Sequence, residues 1–301
     1  YYHRFLERFP TLAVLAEAPE DEVLRYWSGL GYYARARSLH RAARRVVEEH
    51  GGKLPADAEA LSDLPGFGPY TTAAVGSIAF GLPLAAVDGN IARVLSRWLC
   101  LEGDPRSASQ MSVLRRHAQA LLPPNHAGDW NQALMELGAT RCSPAAPACL
   151  ACPAQRHCRA RREGREAEIP PRRRARPRPV LELAAALVRR QSEILLAKRP
   201  PEGLFASMWE LPSVEVGAGE EPGERLARFL GASRVGEELG RVEQTLTHRE
   251  LRVRVFELEA GEELRVGAPY VEARFVDPRL ELPGGLSSAA RKALRSAGIP
   301  L

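Results

Sequence analysis

An arginine- and proline-rich segment at residues 159–179 divides the chain and limits what it can fold into. Its end reads IPPRRRARPRP, which carries too few apolar residues to fold alone. Upstream, as in residues 35–47, apolar residues recur at spacings of three and four, which predicts helices. Downstream, runs such as residues 251–258 alternate in character, which predicts strands. We therefore expect a helical domain at 1–158, a linker, and an α+β domain at 180–301.

Length and charge agree with this division. The chain has 301 residues and an apolar fraction of 45%, enough for two ordinary cores. Its net charge is +5, but residues 156–178 hold ten arginines and three glutamates, so the rest is slightly negative. Such a run is typical of a solvated linker and also attracts polyanions. Because neither a signal peptide nor a membrane-length apolar run stands in the sequence, we expect a cytoplasmic protein without a membrane partner.

Four cysteines crowd the end of the predicted helical domain. Cys142, Cys149, Cys152 and Cys158 have the spacing C-x6-C-x2-C-x5-C, whereas Cys100 stands apart in an apolar helix and is expected in the core. Clustered thiols in a cytoplasmic protein favour a metal centre over disulfides. Structural zinc usually uses two close pairs, and only one C-x-x-C pair occurs here. We therefore favour a [4Fe–4S] cluster as the cofactor, with zinc as the alternative.

The sequence LPGFGPYT at residues 64–71 predicts a glycine hairpin that opens a helix. Gly66 and Gly68 allow a tight turn, and the N-terminus of the next helix can bind a backbone phosphate of a nucleic acid. Eighteen residues after Tyr70, Asp88 precedes another predicted helix and could be simply its N-cap. A plain helix–turn–helix junction is the alternative interpretation of the hairpin.

The hairpin, Asp88 and the cysteine loop together resemble the helix–hairpin–helix DNA glycosylases of the endonuclease III superfamily. The resemblance covers Tyr1 through Cys158. It implies that Tyr70 stands where the enzymes that also cut the DNA backbone carry a Schiff-base lysine. We therefore expect a monofunctional glycosylase, which removes a base without strong lyase activity.

Within the superfamily, the sequence is most similar to the MutY family of adenine DNA glycosylases. The segment LGYYARAR at residues 30–37 resembles the family's wedge beside oxidised guanine, which implies that Leu30 and Tyr32 contact the base stack. The resemblance of Trp130-Asn131-Gln132 implies that Gln132 lies beside the flipped adenine. Ordinary helix packing is the alternative for both segments.

The second domain resembles the Nudix-like C-terminal domain of the same family, beginning at Lys198-Arg199-Pro200-Pro201-Glu202-Gly203. The helix at residues 224–230 lacks the acidic run that holds magnesium in Nudix hydrolases, so we expect lesion recognition without nucleotide hydrolysis. The family's Phe-Ser-His loop aligns with Leu246-Thr247-His248, which departs from it at the first two positions. Thr247 retains a hydroxyl, so we carry lesion recognition over to Thr247 and His248.

The resemblance also implies a reaction. Adenine opposite 8-oxoguanine or guanine in double-stranded DNA is flipped out and its N-glycosidic bond is hydrolysed. Asp88 would stabilise or attack the oxocarbenium-like sugar, while Asn90 and Tyr70 orient it. The family's proton-donating glutamate precedes the segment that matches Tyr1-Tyr2-His3, so we expect an N-terminally truncated, catalytically impaired chain that acts as a monomer.

Three other functions stay open. An endonuclease III type glycosylase-lyase is disfavoured by Tyr70 and by the extra domain. A non-catalytic mismatch-binding protein is favoured by the missing glutamate alone. A Nudix hydrolase of free nucleotides is disfavoured by the missing acidic helix.

Overall fold

The chain forms two compact units in a computed structural model that describes residues 1–171, 177–232, 234–259, 264–280 and 282–301. The first, here called the mixed unit, combines Tyr1–Val47 with the described part of Arg176–Leu301. The second, called the helical unit, is the described part of Glu48–Ala175. Helices and strands are listed below in chain order.

The helices are α1 (Tyr2–Arg8), α2 (Leu12–Glu17), α3 (Glu20–Trp27), α4 (Tyr33–His50), α5 (Ala58–Ser62), α6 (Pro69–Phe80), α7 (Gly89–Leu99), α8 (Ala108–Ala120), α9 (Ala127–Thr140), α10 (Arg159–Arg162), α11 (Pro222–Leu230) and α12 (Ser288–Ser296). The strands are β1 (Val180–Arg190), β2 (Glu193–Lys198), β3 (Trp209–Glu210), β4 (Ser213–Glu215), β5 (Arg234–Thr245), β6 (Glu250–Glu259) and β7 (Glu272–Val276).

In the helical unit, α9 packs closely against both α6 and α7, and two glycines allow this approach. A Cβ added at Gly128 would lie 2.8 Å from the carbonyl oxygen of Ser77 in α6. A Cβ added at Gly138 would lie 2.9 Å from the Cβ of Asn90 in α7. Buried apolar side chains of α7, α8 and α9, including Ile91 and Leu114, form the core beneath them. The helix α9 therefore fixes the positions of the two helices that carry the predicted site residues.

The cysteine loop continues further than the sequence suggests. Residues after Cys158 form α10, in which Ala160 is fully buried, and Ile169 is 2% exposed. The buried Arg97 donates a hydrogen bond from Nε to the carbonyl oxygen of Ile169 at 2.8 Å. The expected linker at 159–179 is therefore too long, since its first part packs on the helical unit. The run Arg172-Arg173-Arg174 of that linker lies outside the described residues.

A sheet with both parallel and antiparallel strands forms the centre of the mixed unit. Its strand order is β3-β2-β1-β6-β5, with β4 also paired to β1 and β7 to β2. β1 and β6 run parallel, and β5 and β6 form an antiparallel hairpin that ends at the pair Thr245 and Glu250. One apolar cluster joins the sheet to α12, and a second joins it to α11. The sheet thus lies between two helices.

The N-terminal helices pack against the sheet and belong to the mixed unit. The sequence analysis had instead placed all of residues 1–158 in the helical domain. Leu24 of α3 and Met208 are fully buried in one apolar cluster. Ser28 donates a 2.6 Å hydrogen bond from Oγ to the carbonyl oxygen of Leu286. Asp21 accepts hydrogen bonds from Lys198 Nζ at 2.6 Å and from Trp209 Nε1 at 3.2 Å. Apolar and polar contacts together therefore place Tyr1–Val47 in the mixed unit.

Among the described residues, no helix combines the length and apolar character that a membrane span requires.

Candidate functional sites

Asp88 is placed by the start of α7, where it is the N-cap. Its Oδ1 accepts hydrogen bonds from the backbone N–H of Asn90 at 2.9 Å and of Ile91 at 2.7 Å. The side-chain amide of Asn90 lies 3.4 Å from Asp88 Oδ2. Both side chains are half-buried. The cap fixes one carboxylate oxygen, so the second oxygen can face a ligand.

Asn90 is held in turn by a chain of hydrogen bonds that ends in the cysteine loop. Its Oδ1 accepts from Arg93 Nη2 at 3.0 Å. The same guanidinium donates to the carbonyl oxygens of Gly138 and Cys142, both at 2.7 Å. Asp88 and Asn90 are therefore brought together as the sequence predicts, and Arg93 is a neighbour that the sequence analysis missed.

The glycine hairpin has the geometry expected for close approach of a ligand. Gly66 has a φ of 85°, in the left-handed region that favours glycine. Gly68 is the N-cap of α6, and a Cβ there would meet no atom within 4 Å. The hairpin backbone is therefore open, and the N-terminus of α6 follows it directly.

Tyr70 lies in the first turn of α6 and is 37% exposed. Its hydroxyl is 3.6 Å from Met135 Sδ. It lines the same groove of the helical unit as Val87, the residue before Asp88, and the groove also contains Arg115 and Arg116. The structure thus brings Tyr70 to the same side of the unit as the Asp88 segment, and two arginines border that surface.

The four clustered cysteines line one cavity. Cys142, Cys149, Cys152 and Cys158 are all free thiols, and Arg97 and Glu166 share the lining. Arg97 donates from Nη1 to Cys142 Sγ at 3.2 Å. Burial raises the pKa of the Cys158 thiol and, together with the charge of Glu166, that of Cys149. Among the described residues, no three His, Cys, Asp or Glu side chains converge closely enough for a single metal ion.

This donor set fits a thiolate-bound cluster. Four cysteines from one loop surround a common space, and a buried guanidinium supplies positive charge next to one sulfur. Cys100 is not among them. It follows α7 in a left-handed conformation, with Sγ 3.1 Å from Glu163 Oε2. It is half-buried and packs against the buried cluster of Cys158, Ala160 and Ile169, so it lies at the edge of the core and not inside it.

The mixed unit contains a second candidate site. Tyr32 lines the same pocket as Thr247 and His248, although it precedes them by more than two hundred residues in sequence. Thr247 and His248 are exposed in the turn between β5 and β6, which is closed by a 2.8 Å hydrogen bond from Leu246 N to the carbonyl oxygen of Arg249. Arg37 and Gln244 also line the pocket. The structure therefore brings together two segments that the sequence analysis assigned separately to lesion recognition.

The segment that carries Leu30 is unusual in its backbone. Gly29, Gly31 and Tyr32 all have positive φ, at 99°, 71° and 48°. For a tyrosine this conformation is uncommon, and such residues occur often at functional sites. The side chains of Leu30 and Tyr32 are 44% and 67% exposed. They are therefore available to a ligand, as the wedge interpretation requires.

Tyr33, next in the chain, anchors this segment. It is buried, and its hydroxyl accepts a hydrogen bond from the backbone N–H of Ser288 at 3.0 Å, at the start of α12. Burial raises the pKa of this hydroxyl, so it stays protonated. The exposed and the anchoring tyrosine thus have separate roles.

Gln132 lies on the surface of α9. It is exposed on α9, and its amide donates to the carbonyl oxygen of Gly128 at 3.3 Å. It does not line the groove that contains Tyr70 and Val87. Its predicted contact with adenine stays a prediction. The preceding residue, Asn131, is 1% exposed and hydrogen-bonded to the segment before Asp88, a role that the sequence did not reveal.

Comparison with known proteins defines the class. Residues 1–123 match the model of the HhH-GPD superfamily of base excision DNA repair proteins, and residues 184–296 match the NUDIX domain. These matches confirm the expected fold, a helix–hairpin–helix domain followed by a Nudix-like domain.

Curated relatives narrow the assignment. The chain is 35% identical to the adenine DNA glycosylase of Homo sapiens, with 98% of this chain and 64% of that protein covered. It is 41% identical to that of Rattus norvegicus, with 71% and 50% covered, and 35% identical to that of Mus musculus, with 98% and 67% covered. The chain belongs to the adenine DNA glycosylase family. It spans about half to two thirds of the length of these relatives.

Proposed function

We propose that the chain acts in base excision repair as a monofunctional adenine DNA glycosylase on adenine opposite 8-oxoguanine or guanine. The observation that supports this most strongly is the pocket of the mixed unit. It joins Tyr32, beside the exposed Leu30, to the hydroxyl of Thr247 and to His248. A hydroxyl among aromatic and apolar groups suits recognition of an oxidised purine by stacking and hydrogen bonding.

Asp88 supports the chemistry in this proposal. A half-buried carboxylate with one oxygen fixed by two backbone N–H groups is suited to stabilise positive charge on a sugar whose base is leaving. Asn90 orients the second oxygen, and Tyr70 borders the adjoining groove. Gly66 and Gly68 would bind a DNA phosphate through backbone N–H groups, and Gln132 would contact the extruded adenine. We assign no residue of this chain the role of the general acid.

A [4Fe–4S] cluster is the proposed cofactor. Cys142, Cys149, Cys152 and Cys158 would hold it, and Arg97 would donate a hydrogen bond to one thiolate. When bound, the cluster would hold the loop against α7 and α9. Iron and acid-labile sulfide analysis of purified protein tests this, and zinc in place of iron would contradict it.

The catalytic proposal is tested with a duplex that contains one 8-oxoguanine·adenine pair. Borohydride treatment should trap no covalent adduct, since Tyr70 offers no amine, and a trapped adduct would instead indicate a glycosylase-lyase. Free adenine is measured by chromatography in the same reaction, and its release would show that a general acid lies within these 301 residues. Magnesium-dependent release of pyrophosphate from a nucleoside triphosphate would favour a Nudix hydrolase instead.

The structure of α11 bears on that alternative. Within the helix the only carboxylate is Glu224, while the N-cap Glu221 bonds the backbone N–H of Gly223 at 3.0 Å. Glu220 bonds Gly217 N at 2.7 Å. The helix itself therefore offers a single carboxylate in place of an acidic run that could hold magnesium, which supports recognition over hydrolysis.

A further inference from the structure

The six residues before Asp88 have no regular structure and yet are closely held. They connect α6 to α7, from Leu82 to Val87, and none of them belongs to a helix or a strand. A segment of this kind has backbone groups that no neighbouring strand can satisfy. Because Asp88 follows directly, the contacts that hold these six residues also determine the position of the Asp88 backbone and so of its carboxylate.

Two side-chain amides replace the missing strand. Asn131 of α9 accepts from Ala86 N at 3.0 Å and donates from Nδ2 to the carbonyl oxygen of Leu84 at 2.8 Å. Gln119 of α8 accepts from Ala85 N at 3.0 Å and donates to the carbonyl oxygen of Pro83 at 2.8 Å. Each amide therefore bonds both a donor and an acceptor of the segment, as the backbone of a paired strand would.

Asn131 is also held by a hydrogen bond to α6. Its Nδ2 donates to Ser77 Oγ of α6 at 2.8 Å, and the side chain is 1% exposed. The nearby Gly128 allows α9 to approach the same residue of α6 closely. One buried side chain thus connects α6, α9 and the segment that carries Asp88. An Asn in this position can satisfy both kinds of backbone group, whereas an apolar or acidic side chain cannot.

We propose that Asn131 and Gln119 are positioning residues that set the place of the Asp88 carboxylate. This inference rests on the proposed function, in which Asp88 stabilises a cationic sugar. Neither side chain hydrogen-bonds to Asp88, and each acts through the backbone of residues 83–86. A displacement of about 1 Å at a reacting group can lower a rate about a hundredfold, so such supports matter for chemistry as well as for stability.

The test uses two duplexes with an abasic analogue opposite 8-oxoguanine. One analogue is a pyrrolidine, which is cationic, and the other is a neutral tetrahydrofuran. A correctly placed Asp88 carboxylate favours the cationic duplex, so the ratio of the two dissociation constants reports its position. In Asn131→Leu we expect this ratio to fall about tenfold, and in the exposed Gln119→Leu about threefold. Gln119→Leu keeps the test decisive if Asn131→Leu does not fold.

Leu114→Ala is the matched control. Leu114 is fully buried in the core of the helical unit, so its truncation destabilises the unit. The hydrogen bonds of Asn131 and Gln119 to residues 83–86 are left intact. We expect weaker thermal stability and an unchanged ratio. The proposal would be overturned if the ratio of dissociation constants fell as much in Leu114→Ala as in the amide variants. It would also be overturned if the ratio were unchanged in both Asn131→Leu and Gln119→Leu.

Hydrogen exchange separates this inference from the proposed function. In Asn131→Leu, the backbone amides of Asn90 and Ile91, which Asp88 caps, should exchange faster relative to Leu114→Ala. If the unmodified chain does not prefer the cationic duplex, the role of Asp88 fails, and the exchange of these two amides alone decides whether Asn131 positions it. Unchanged exchange would overturn the positioning role.

Discussion

At the scale of single residues, Asp88 combines its observed role as the N-cap of α7 with the catalytic role proposed above. It caps α7 with one oxygen, and the other oxygen remains beside Asn90. The sequence predicted the N-cap, because an Asp before an apolar helix suggests one, whereas the catalytic role is implied by the family resemblance and stays a prediction. It could not predict Asn131, because a buried amide that bonds backbone groups far along the chain leaves no local pattern.

Asp88→Asn should separate these two roles. Asparagine is as good an N-cap as aspartate, so the free energy of unfolding should change by less than about 1 kcal/mol. The preference for the cationic abasic duplex should fall about ten- to a hundredfold because the charge is lost. Chemical denaturation and equilibrium binding measure the two effects. An unchanged preference would show that Asp88 does not face the sugar.

Thr247→Val tests lesion recognition. The change removes the hydroxyl from the pocket and keeps the shape of the side chain. Binding to an 8-oxoguanine·adenine duplex should weaken about tenfold, with less effect on a guanine·adenine duplex. Thr247→Ser, which keeps the hydroxyl, is the control and should bind as the unmodified chain does. Equal weakening on both duplexes would argue against a specific contact.

At the scale of elements, local pattern predicted the long helices and the apolar strands but missed β5. Most residues of β5 are charged or polar, only one of them is buried, and the strand lies at the edge of the sheet. Edge strands often carry charges that prevent pairing with other chains, so alternation is weak there. The short strands β3 and β4 were also missed, since two or three residues give no periodicity. Strand β5 matters because its end begins the turn with Thr247.

Gly138→Ala tests the close packing of α9 on the start of α7. The added Cβ would lie 2.9 Å from Asn90 Cβ, so α7 or Asn90 must shift. We expect a loss of about 1–3 kcal/mol of stability and a lower preference for the cationic duplex. Gly89→Ala is the control, because its Cβ meets no atom within 4 Å, and it should be neutral or stabilising. Denaturation curves that coincide for the two variants would contradict this packing.

A buried polar cluster in the mixed unit predicts a pH dependence. Tyr270 donates to Glu210 Oε1 at 2.7 Å and accepts from Ser213 N at 2.8 Å. Burial and then the charge of Glu210 raise the pKa of Tyr270 above its ordinary value. The contribution of the protonated Tyr270 to the free energy of unfolding is therefore fully present below the pKa of tyrosine in the unfolded chain, about 10. It is lost as the pH rises from there towards the higher pKa of the folded state.

Tyr270→Phe checks this by denaturation between neutral pH and pH values above the unfolded pKa. At neutral pH the variant should be less stable by about 1–3 kcal/mol, because Glu210 loses a donor. Its further loss of stability at alkaline pH should be smaller than that of the unmodified chain. Parallel alkaline profiles would contradict the assignment.

At the scale of the whole molecule, the division into two compact units could not be predicted from sequence. The composition change at the arginine-rich segment suggested a boundary, but Tyr1–Val47 packs with chain beyond that segment. Such packing depends on residues far apart in sequence, such as Leu24 and Met208. The same packing forms the pocket that joins Tyr32 to Thr247.

The proposed function requires this chain to distinguish a damaged mispair from normal DNA. We would therefore measure equilibrium binding to two duplexes of the same sequence, one with a single 8-oxoguanine·adenine pair and one with guanine·cytosine there. Specific contacts in the pocket predict at least about tenfold tighter binding to the mispair at constant salt. Equal affinities for the two duplexes would contradict lesion recognition and leave only binding to the phosphate backbone.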